Sequence, residues 1–163
     1  SLVSIGAASI AMGLFICLIV KNMLSGFGSM VEIPYIKVFL LGFITMASMI
    51  AILALVSYLL IEKVFKANTT IKKMFVLFGL SSIIITVALL IASILSLIEL
   101  DMMILYAVVA VGSMLWFAYN IKGIEFYSKL NLNYIGYAIV ASYGITSVAI
   151  YYLITEVFAK ILM

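Results

Sequence analysis

The chain has 163 residues, 68% hydrophobic and 9% charged, with a mean hydropathy of +1.42 and a net charge of +3. A soluble domain keeps about a quarter of its residues charged, and so short a chain cannot bury every face of every helix, which excludes a soluble globular fold. Its basic residues are all lysines, with no arginine and no histidine, which excludes bidentate phosphate clamps, imidazole acid–base chemistry and a nucleic-acid-binding basic stripe.

Apolar runs long enough to cross a ~30 Å hydrocarbon core as helices alternate with short clusters that hold nearly all the charge. The first predicted span covers residues 2–20 and ends at Lys21. It begins directly at Ser1, which fits a processed start or a soluble N-terminal portion outside this sequence. No positively charged region precedes it, which argues against a secretory signal peptide. Cys17, the only cysteine, lies inside this span and reads as a small apolar side chain. A stretch with two glycines, Gly26 and Gly28, then leads to the only proline, Pro34, and reads as a loop.

The second span covers 35–61, longer than a perpendicular crossing needs, and Lys37 snorkels from its first turn. A charged connection from Glu62 to Lys73 follows, in which Asn68, Thr69 or Thr70 serves as the N-cap of the next helix. The third span is 74–98. The Glu99-Leu100-Asp101 connection is so short that spans three and four are antiparallel neighbours, with both carboxylates in water. The fourth span is 102–121, and residues 122–133 form an amphipathic connection lying partly in the interface. The fifth span is 134–157, with Lys160 close behind. The expectation is an all-α, polytopic membrane protein: one bundle of about five transmembrane helices, without internal repeats.

Lysine asymmetry orients the bundle. The connections between spans two and three and between spans four and five carry Lys63, Lys66, Lys72, Lys73, Lys122 and Lys129, against Lys21, Lys37 and Lys160 on the opposite side. This predicts a cytoplasmic N-terminus and an outside C-terminus, and makes a glycosylation role for Asn68-Thr69-Thr70 irrelevant.

No span carries an ionisable residue at mid-depth, where a proton pathway or voltage sensor would need one. The hydroxyls and Cys17 have no adjacent base, so no nucleophile can be assembled, and an enzyme is not expected. No cofactor or metal is expected either. Small residues recur every fourth position in Ala88, Ala92 and Ser96 and in Ala138, Ser142 and Thr146, which suits helix packing inside the bundle or a face for a partner. Similar spacing occurs in Ser9…Gly13 and Ala47…Ala51. Two polar residues stand out. Tyr143 lies near mid-depth and needs a hydrogen-bond partner, and Asn120 either caps the end of span four or reaches into the bundle.

Two local patterns resemble the Yip1 domain family of five-span membrane proteins. One is Asn68-Thr69-Thr70-Ile71-Lys72-Lys73-Met74-Phe75 with Gly79 soon inside the span. The other is Tyr119-Asn120-Ile121-Lys122-Gly123-Ile124 running on to Lys129-Leu130 and Tyr137-Ala138. The resemblance covers about residues 38–160. It implies a cytoplasmic N-terminus, a prokaryotic plasma-membrane setting and a non-enzymatic bundle acting through protein or lipid partners. It carries over no site residues. The expected function is a membrane scaffold or interaction protein, with membrane lipids and a homo-oligomer or other membrane proteins as partners. The alternative is a small channel or transporter for a neutral or lipid-like solute.

Overall fold

A computed structural model describes residues 1–24, 34–98 and 100–162, with side chains through Glu156. The loop expected around Gly26 and Gly28, together with Glu99 and the side chain of Lys160, lies outside the described residues. Five helices follow in order: α1 (Leu2–Leu24), α2 (Tyr35–Leu59) extended by a π-helical turn (Leu60–Val64), α3 (Ile71–Leu97), α4 (Met102–Ser128) and α5 (Leu132–Leu162). Each contains a segment long and apolar enough to span a membrane, and among the described residues there is no strand. The protein is an all-α polytopic membrane bundle.

Short polar side chains start three of the helices. Thr70 accepts from the Lys73 amide at 3.4 Å, Asp101 from Met103 at 2.7 Å and Asn131 from Asn133 at 3.2 Å. Each satisfies an amide that has no carbonyl within the first turn. Thr70 is therefore the N-cap among the three candidates. Helix α4 ends where Lys129 turns into the left-handed region at φ 55°, its amide bonding back to Glu125 at 3.0 Å.

Close contacts fix the helix directions. Cys17 Sγ lies 3.4 Å from the Tyr35 carbonyl, while Gly13 faces Phe39 and Gly42, so α1 and α2 are antiparallel. Ser1 sits against Gly79, and Asn22 reaches Ser96 with its amide nitrogen 2.8 Å from Oγ, so α1 and α3 run parallel. Helices α1, α2 and α3 pack on one another, α4 lies on α3, α5 lies on α2, and α4 meets α5 only sparingly. Phe78, Ile50, Leu53, Met74, Leu89 and Ile139 form the fully buried centre. Outward faces carry Ile83, Val87, Val111, Leu115 and Val148 exposed. Such surface is untenable in water and is the solvated face in hydrocarbon.

One expectation is corrected. Residues 122–128 continue α4 rather than forming a connection, which shrinks to Lys129–Asn131. The Lys122–Glu125 pair, at 2.8 Å and one turn apart, suits a helix that continues past the apolar run. The small-residue series Ala88, Ala92, Ser96 and Ala138, Ser142, Thr146 is buried within the single chain. Of the two alternatives offered for it, these residues take the internal packing role.

Candidate functional site

Asn120 sits mid-helix on α4 with no exposed surface, so it is not a cap. Its Nδ2 donates to the Tyr143 hydroxyl on α5 at 3.1 Å, which gives Tyr143 the partner that its depth demands. One turn earlier on α4, Trp116 donates from Nε1 to Ser81 Oγ on α3 at 2.8 Å. Ser81 in turn donates its hydroxyl to the Phe78 carbonyl at 3.1 Å. The Tyr143 ring meets Trp116 at 6.0 Å and Phe117 at 5.2 Å, both edge-on. A polar and aromatic bracket thus ties α3, α4 and α5 together where α4 and α5 otherwise touch little. Every group in it is uncharged, so it can orient or hold a molecule by hydrogen bonding and offers no acid or base.

Sequence reasoning singled out Asn120 and Tyr143 but did not pair them, and it did not single out Trp116. The spacing of Trp116 and Asn120, four residues apart on one helix face, was the signal available.

Hydroxyls elsewhere in the bundle mostly return to their own helix: Ser142 donates to Ala138, Ser93 to Leu89 and Ser9 to Ile5. Ser57, Thr146 and the carbonyl oxygen of Asn120 are buried without a partner. Thr146, Tyr143, Ser147 and Tyr151 line a cavity of about 320 Å³ between α2 and α5, with Met49, Leu53, Ile150 and Ile154 as its apolar wall.

A larger, almost wholly apolar cleft of about 670 Å³ opens sideways between α3 and α4, lined by residues including Val87, Ala88, Ile91, Ala107, Val111 and Leu115. Its floor is set by close backbone approach. A side chain on Gly112 would collide with the Ala88 methyl. Among the described residues no three His, Cys, Asp or Glu side chains converge to hold a metal ion.

Comparisons with protein-family models, with curated proteins and with solved structures give no match for this chain.

Proposed function

We propose that this protein is a non-enzymatic membrane interaction protein of the Yip1-like type whose immediate partner is lipid, held by an acyl chain in the α3–α4 cleft. One observation carries the proposal: the cleft is apolar, about 670 Å³ in volume and open to the side of the bundle. In a bilayer the medium at such an opening is acyl chain, and a chain lying in it replaces lipid contacts with protein contacts at no polar desolvation cost. The resemblance to five-span bundles acting through lipids or proteins supports the same role, in a prokaryotic plasma membrane with the N-terminus inside. Assembly with a second copy or another membrane protein would use the outer surface of the bundle, since the small-residue series is consumed by internal packing.

Native mass spectrometry of the full chain released from nanodiscs tests the proposal. Wild type should retain stoichiometric lipid, and Ala107→Phe, which puts a ring into the cleft from an exposed position, should release it. A lipid-free wild-type chain, or equal retention by the variant, would sink it.

Transport of a neutral or lipid-like solute is the second reading, favoured by the unpartnered Thr146 hydroxyl beside the α2–α5 cavity. A flux of small alcohols in proteoliposomes that falls in Thr146→Val would promote it over lipid binding.

A further inference from the structure

The α3–α4 cleft does not stop at its apolar part. On α3 its wall continues through Leu80 to Leu77, and on α4 through Tyr119 and Lys122 to Phe126, around a second hollow of about 350 Å³. The spacing shows that the two hollows share one face. Positions 77, 80, 84, 87 and 91 of α3 step by three and four residues, as do 104, 108, 111, 115, 119, 122 and 126 of α4. Side chains so spaced form one stripe along a helix. From Leu77 to Ile91 the stripe runs roughly 21 Å at 1.5 Å per residue. The result is a groove on the flank of the bundle, apolar over most of its length and polar at one end.

That end has a definite charge pattern. Lys122 stands at the rim, and its Nζ lies 2.8 Å from Glu125 Oε2, with both side chains substantially exposed. Tyr119 and Tyr127 flank the same hollow. Lysine is a compact cation suited to a phosphate. A headgroup that were purely anionic would meet the Glu125 carboxylate beside it, whereas one carrying both a phosphate and an ammonium can satisfy the two charges together.

We propose that the groove binds a zwitterionic aminophospholipid from the leaflet at the lysine-rich end of the bundle. Its phosphate sits on Lys122, its ammonium on Glu125, and one acyl chain runs along the stripe from Leu80 towards Ile91. This rests on the lipid-binding function proposed above and names the lipid class and its orientation.

Trp116 is the only tryptophan, a buried residue of α4 next in sequence to the groove residue Leu115. Full-length protein is reconstituted into vesicles, and phospholipids with brominated acyl chains are titrated in, either phosphatidylethanolamine or phosphatidylglycerol. Trp116 quenching then gives the affinity of each lipid relative to the bulk. The zwitterionic lipid should be preferred by about threefold, the scale of an exposed ion pair. Glu125→Gln, which removes both the ammonium contact and the repulsion of an anionic headgroup, should abolish that preference while leaving chain-dependent quenching in place. Ala107→Phe should reduce quenching by both lipids alike. Equal affinity for the two headgroups in the wild type, preference for the anionic lipid, or a preference that survives Glu125→Gln would overturn the headgroup assignment. Quenching untouched by Ala107→Phe would overturn the acyl-chain cleft itself, so the two failures are distinguishable.

Discussion

At the scale of single residues, the contact between Asn120 and Tyr143 holds α4 to α5. In hydrocarbon the alternative partner for either group is nothing, yet an average hydrogen bond between membrane helices contributes only about 0.6 kcal/mol, with a ceiling near 1.7. This one should lie towards the ceiling, because the Asn120 carbonyl oxygen already lacks a partner, and removing the tyrosine hydroxyl would strand the whole amide. Tyr143→Phe is therefore expected to destabilise by about 1–2 kcal/mol, and Asn120→Leu by a similar amount, since it strands the tyrosine hydroxyl instead of the amide. Unfolding in mixed micelles of the two single variants and the double variant would measure the coupling. A coupling near zero would mean that the bond contributes nothing to stability. The sequence showed that both residues were candidates and that Tyr143 needed a partner. It did not show which, because Asn120 stands 23 positions away on a helix whose rotation about its own axis no local pattern fixes. At the end of an apolar run an asparagine reads equally as a cap, and only packing of α4 against α5 decides between the two.

The helices themselves were legible almost throughout, and for a simple reason: hydrocarbon thickness demands long apolar runs, and charge marks where they stop. The largest difference between an expected span and its helix was at the end of α4. Hydropathy fades after Ile121, but a helix ends where its hydrogen bonds end, not where lipid ends. Residues 122–128 stay helical because nothing breaks them until Lys129 takes a left-handed turn. A lysine held there costs about 1–2 kcal/mol relative to its preferred conformations. Lys129→Gly should remove that strain and, after the added entropy of the unfolded glycine, raise stability by up to about 1 kcal/mol. Lys129→Val should lower it, and thermal unfolding in detergent would rank the three. Glycine also sets the α1–α2 crossing. A Cβ on Gly42 would lie 2.9 Å from Gly13 Cα, which is backbone and cannot rotate aside. Gly42→Val should thus destabilise by about 1–3 kcal/mol through overpacking, whereas Gly144→Ala, with nothing within 4 Å of the new methyl, should leave stability unchanged or improved. Equal effects from the two would show that the close crossing is not what Gly42 supplies.

For the molecule as a whole, alternating helix directions gather the 65–70 and 129–131 connections at one end and the 98–101 connection at the other. Lys66, Lys72, Lys73, Lys122 and Lys129 stand exposed at or near the first end. Lysines close to span ends favour the cytoplasm during insertion, so that end is expected inside. The test uses single cysteines in a Cys17→Ser background: Asn68→Cys and Asn131→Cys at the lysine-rich end, and Ile98→Cys at the other. In intact cells a membrane-impermeant maleimide should reach only position 98, with the other two reacting after permeabilisation. The bias is six lysines against three, so converting Lys66, Lys72 and Lys73 to glutamine levels it at three each. A chain whose orientation is set by that bias should then insert both ways, and all three positions should label partially in intact cells. Retention of a single orientation after levelling would show that something other than lysine placement orients the bundle. Labelling of position 131 in the intact wild-type background would invert the topology. It would also move the proposed aminophospholipid site, with Lys122 and Glu125 at its rim, to the outer leaflet.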